Sequence, residues 1–96
     1  MSQIYAMEKM HMAVFNLVGP GSMRSRLANA VNSHLLHLST ESDLPSSLEN
    51  DYNEIIHGLN KHGNINKELE NISEIEAERY AQRIVCLFEK TAHLVH

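Results

Sequence analysis

Apolar residues in this chain return every three to four positions, and nowhere do they alternate with polar ones as a half-buried strand requires. That periodicity predicts an all-α fold. Its sharpest interruption is Gly19-Pro20-Gly21-Ser22, which ends one long apolar pattern just before another begins. Ser22 stands at an N-cap position, where its hydroxyl can accept from an otherwise unpaired N–H of the next helix. Arg24 and Arg26 follow at once and add positive charge beside the positive end of a helix dipole, an arrangement suited to an anion.

Before the break, a helix is expected from Ser2 to about Val18. Met7, Met10, Val14 and Leu17 recur at helical spacing, and Met12, Ala13, Phe15 and Val18 widen the apolar surface until Glu8, Lys9 and Asn16 form only a narrow wet edge. A helix apolar on most sides is usually buried on most sides, so the first helix is expected at the centre, or half in the core and half in a dimer interface. After the break, a second helix is expected from about Met23 to Leu38. Met23, Leu27, Ala30, Val31, Leu35 and Leu38 share one face, with His34 in its middle and His37 on its edge.

Ser39 to Asp43 read as a turn. Ser46 with Glu49 is a capping-box spacing behind Pro45 and opens a third helix with Leu48, Tyr52, Ile55, Ile56 and Leu59 inward and Gly63 as its stop. Ile65, Leu69 and Ile72 suggest a short helix. Ser73 with Glu76 is a second capping box, and the last helix carries Ala77, Ala81, Ile84, Val85, Phe88, Ala92 and Val95 on its main face, with Tyr80, Leu87 and Leu94 beside it. The expected architecture is a compact bundle of four main helices and one short one, with residues 1–96 as a single helical domain, a length that suits one modest core.

Leu44-Pro45, Leu48, Asp51-Tyr52 and Ile55, with Gly19-Pro20-Gly21-Ser22, Arg26-Leu27 and the Ile72 to Phe88 pattern, resemble a group of small uncharacterised bacterial all-helical proteins. The resemblance spans most of the chain through turns, caps and core positions. It implies a bacterial, cytoplasmic, helical protein and carries no activity or site residue with it.

Charge narrows the choice of partners. Residues 1–40 hold only Glu8, Lys9, Arg24 and Arg26, a net of +2, while residues 41–96 hold eleven acids and five bases, a net of −6. Nucleic-acid affinity rests on clustered Lys and Arg, so an acidic chain is not expected to bind it generally. A helix–turn–helix frame over Phe15 to Ala30 fails where Pro20 and an extra glycine fill the turn and bulky Phe15 takes the usual small position. No apolar run approaches the roughly 20 residues of a membrane span. The N-terminus lacks a basic stretch followed by an apolar one, and the lone Cys86 fits a reducing compartment.

Seven histidines are the oddest feature of the composition. His34 with His37 and His93 with His96 each sit three apart, close enough to share a metal, but no third and fourth ligand follows at a metal-binding spacing. His34, if buried, needs a hydrogen-bond partner, since an unpaired buried polar group costs about 1–3 kcal/mol. Cys86 lies near Arg83 and Lys90, cations that favour a reactive thiolate, yet His93 stands about 10 Å away by helical rise, too far for a dyad. The acids from Glu68 to Glu78 read as a solvated helix start.

The expected function is therefore that of a small regulatory or accessory protein that acts by binding, with no catalysis, cofactor or metal. Homodimerisation through helix faces is expected, with a protein partner at the Met-rich first helix; the interface candidates are Met7, Met10, Met12, Phe15, His34, Tyr80, Leu87 and Leu94. The alternative is a nucleic-acid or phosphate-binding module built on Gly21, Ser22, Arg24 and Arg26.

Overall fold

The computed structural model describes residues 2–38, 44 and 46–94. The expected turn at 39–43, Pro45, Val95 and His96 lie outside the described residues. Five α-helices follow in order: α1 (Ser2–Leu17), α2 (Met23–Ser33), α3 (Glu49–Leu59), α4 (Ile65–Asn71) and α5 (Glu74–Leu94). Single 3-10 turns stand at Leu35–His37 and Ser46–Leu48, and no strand occurs among the described residues. The all-α expectation holds, with α4 as the short helix.

The Gly-Pro-Gly break does what its residues permit. Two tight bonds close α1, from Val18 N–H to the Phe15 carbonyl and from Gly19 N–H to the Asn16 carbonyl. Gly21 then turns the chain at φ +100°, a conformation cheap only without a Cβ. Ser22 is extended, and its Oγ accepts the Ser25 N–H at 3.1 Å. α2 folds back along α1 and also packs on α5 and α4. One core joins all five helices: Ala6, Met10, Ala13 and Leu17 from α1, Leu27, Ala30 and Val31 from α2, and Ala77, Ala81, Ile84 and Leu87 from α5 meet Tyr52, Ile55, Leu59 and Leu69.

Three boundaries differ from expectation. α2 stops at Ser33, and Leu35–His37 tightens into a 3-10 turn. Leu35 and Leu38 are both buried, which a turn of three residues achieves for positions three apart. The Tyr52 hydroxyl donates to the Leu35 carbonyl at 2.7 Å, giving that carbonyl a partner outside the helix. α3 begins through a 3-10 turn with Leu48 at its N-cap and no side-chain cap, so Glu49 is its first residue and the Ser46–Glu49 box does not form around it. Its last residue is Leu59, where Asn60 N–H bonds back to the Ile56 and His57 carbonyls; Gly63, at φ +83°, serves the turn into α4 instead.

The caps of α4 and α5 match their sequence. Asn64 Oδ1 accepts Lys67 N–H and Ser73 Oγ accepts Glu76 N–H, each at 3.1 Å. α1 departs most from expectation. Its buried residues form one stripe, Ala6, Met10, Ala13 and Leu17, whereas Met7 and Val14 are only half-buried. The molecule measures 35 × 28 × 18 Å, so its short axis holds about two helix layers at 8–10 Å between axes. A helix in a two-layer molecule has a face that no other described helix covers, and α1 is such a helix.

Candidate functional site

The Gly19–Arg26 turn meets α5 at its first residue. Glu74 Oε1 accepts Met23 N–H at 2.9 Å and Oε2 accepts Arg24 N–H at 3.0 Å. Oε2 also lies 3.8 Å from Arg24 Nε, and Arg24 Nη1 reaches the Ile72 carbonyl at 3.5 Å. With Ser22 serving the Ser25 N–H, the first three amides of α2 are all paired inside the molecule. The anion this helix N-terminus attracts is the chain's own carboxylate. Arg26 turns the other way, donating from Nη1 to the Leu17 carbonyl at 3.0 Å, where it satisfies the C-terminus of α1. Its Nε is buried with no partner among the described residues. Gly21, Ser22, Arg24 and Arg26 thus come together, but as a joint between α1, α2 and α5.

The interface candidates separate into three groups. Met10 and Leu87 are core residues, 0% and 1% exposed, and cannot face a partner. Met7, His34 and Tyr80 are half-buried, and Tyr80 lies over Gly58 of α3, where a Cβ would collide with its hydroxyl. Leu94 ends α5, and its side chain lies outside what is described. Only Met12 and Phe15 stand well into solvent, at 45% and 68% exposure, with Val18 at 69% just past the helix end. At 3.6 residues per turn, Met12 and Phe15 project from the side of α1 opposite its core stripe.

Sequence reasoning missed the side chain that holds this face in order. His11 stacks on Phe15, with centroids 6.3 Å apart and planes at 27°, and on Phe88 of α5, at 6.0 Å and 21°. The outward ring is thereby tied through an imidazole to a partly buried ring of α5. Histidine at i and phenylalanine at i+4 was the available signal. Beside this ladder, Tyr5, Glu8, Lys9, His11, Met12 and His34 line an open hollow of about 530 Å³. His34 Nδ1 is buried there without a hydrogen-bond partner among the described residues, contrary to expectation. Its desolvation, with Lys9 and His37 nearby, holds the imidazole pKa below its ordinary value.

A second groove, of about 480 Å³, runs between α3 and α5 over Ile55 and Leu87, and Cys86 lies along it. Two ion pairs join its walls: Lys90 to Asp51 at 2.9 Å and Arg83 to Glu54 at 3.5 Å. The cations beside the thiol are therefore already held by carboxylates, and the Asp51 hydrogen bond raises the Lys90 pKa. His34 and His37 stand at the two ends of one 3-10 turn, and no group of three His, Cys, Asp or Glu among the described residues could hold a metal ion. Likewise no described helix is long and apolar enough to cross a membrane. No protein-family model, curated protein or solved structure matches this chain.

Proposed function

We propose that this chain is a small bacterial regulatory or accessory protein of the cytoplasm that acts by binding another protein chain and performs no catalysis itself. The observation that carries the proposal is the outward face of α1, where Met12 and Phe15 stand exposed on the side away from the core stripe, with Val18 exposed just past the helix end. Scattered exposed apolar residues are ordinary, whereas large apolar side chains exposed close together favour a contact surface. Ile75 supplies the contrast. It is also 66% exposed, yet it stands alone among Glu74, Glu76 and Glu78.

The turn of Gly21, Ser22, Arg24 and Arg26 is the weaker place for a ligand, because Glu74 already occupies the amides an external phosphate would need. Photo-crosslinking in cells tests the proposal. A benzophenone side chain at position 15 should capture a protein, whether a second copy or another chain, and the same probe at position 75 should not. Equal capture at both positions, or none at 15, would overturn it.

A further inference from the structure

We propose that the groove between α3 and α5 is a binding site for a small organic anion with an apolar tail, of the medium-chain carboxylate class. The site shares no residue with the outward face of α1.

Charge is the first support. Residues 41–96 contain five bases among eleven acids. Three of those five, Arg79, Arg83 and Lys90, line this one groove, against only two carboxylates, Asp51 and Glu54. A local excess of cations in an acidic surround attracts an anion. Both carboxylates are already engaged, Asp51 with Lys90 and Glu54 with Arg83. Arg79 forms no ion pair among the described residues. Glu76 lines a small hollow beside Arg79, Tyr80 and Arg83, and it pairs with neither arginine.

Placement is the second support. Arg79 and Arg83 are four apart on α5 and are neighbours on one helix face. Tyr80 steadies the second of them, whose guanidinium carbon stands 5.6 Å from the ring centroid. The Arg83–Glu54 pair spans 3.5 Å between side chains 45% and 70% exposed, so it contributes little and leaves the guanidinium open to a second carboxylate. From Arg83 to Lys90 the groove follows α5 for about 10 Å by helical rise, room for a medium acyl chain. Its surface there is carbon and sulfur: the Cys86 side chain and the methylene stems of Arg83 and Lys90, over a closed floor of Ile55 and Leu87. The volume of about 480 Å³ falls within the roughly 300–1,000 Å³ of small-molecule sites. An inorganic anion would leave this apolar length unused, and a neutral chain would leave Arg79 unpaired.

Octanoate, titrated into the isotope-labelled protein and followed through amide NMR shifts, is the probe. Saturable shifts should centre on residues 79–90 of α5 and 51–55 of α3, with a dissociation constant below about 1 mM. Octanol and inorganic phosphate each carry half of the chemistry and should bind about tenfold more weakly or worse. Arg79→Gln should weaken octanoate about tenfold, the loss of a charged hydrogen bond, while octanol binding and the melting temperature stay unchanged. Cys86 reports on the wall, because saturating octanoate should slow its alkylation by iodoacetamide. The proposal is overturned by an absence of saturation, by shifts centred on Met12 and Phe15, or by octanol or phosphate binding as tightly as octanoate. Wild-type affinity in Arg79→Gln, or an unchanged alkylation rate, would overturn it as well. Capture by the probe at position 15 depends on none of these results, so the proposed function stands or falls separately.

Discussion

Glu74 meets Arg24 twice, accepting its backbone N–H at 3.0 Å and lying 3.8 Å from its guanidinium Nε. The same carboxylate takes the Met23 N–H, so one side chain at the start of α5 caps the start of α2. Both side chains are about half exposed, so the ion pair itself contributes little; the two amide bonds contribute more. Glu74→Ala should cost about 1–2 kcal/mol, in the range of a lost N-cap, and lower the melting temperature by roughly 4–8 °C per kcal/mol. It should also vacate the anion position. Sulfate should then raise the melting temperature of Glu74→Ala more than that of wild type, and equal shifts would show that the amides do not take an external anion.

That contact explains why part of the fold was legible in the sequence and part was not. Caps at Ser22, Asn64 and Ser73 are bonds between residues three apart, so each can be read locally. Glu74 and Arg24 are fifty residues apart, and nothing local pairs them. Apolar spacing located the helices but could not say which apolar side of α1 faces inward, because Met7–Val14 and Ala6–Ala13 are both at helical spacing. Small alanines made the closer approach. The larger Met12 and Phe15 remained outside, and with them the candidate surface.

The two apolar sides of α1 should respond oppositely to truncation. Met10 is fully buried, and Thr91 of α5 holds its sulfur at 3.2 Å. Met10→Ala should cost about 2–5 kcal/mol. Phe15→Ser removes a larger side chain, yet one exposed in the free chain, and should stay within about 0.5 kcal/mol. Denaturant melts of the two variants make the comparison. Similar losses for both variants would mean that Phe15 supports the fold.

His34 should make stability fall in mild acid. Burial foremost, then Lys9 on α1 and His37 on the neighbouring turn, lowers its pKa in the folded chain. Glu8 lines the same hollow. Above the ordinary value of about 6.5 the imidazole is neutral in both states and contributes no slope. As pH drops through that value the unfolded chain takes the proton first, so folding weakens until the folded-state pKa is passed. His34→Gln removes this contribution and leaves the other six histidines in place. Between about pH 7.5 and pH 5.5 the variant should lose less melting temperature than wild type; an identical loss would place the acid sensitivity elsewhere.

Tyr52 ties α3 to the turn that ends the first half of the chain. It is buried, and its hydroxyl donates to the Leu35 carbonyl at 2.7 Å with a longer approach to Leu38 at 3.5 Å. Tyr52→Phe keeps the ring and its packing but leaves a buried carbonyl without that donor, a loss of about 1–2 kcal/mol. The effect should be local as well as global. His37 and Leu38 amides, bonded to the His34 and Leu35 carbonyls, should exchange hydrogen faster relative to amides in the middle of α5. If every amide accelerates by the same factor, the hydroxyl stabilises the whole fold and does not hold this turn. If the turn alone accelerates, the 3-10 geometry at Leu35–His37 is maintained by a residue of another helix, which is why helical periodicity in the sequence ran straight through it.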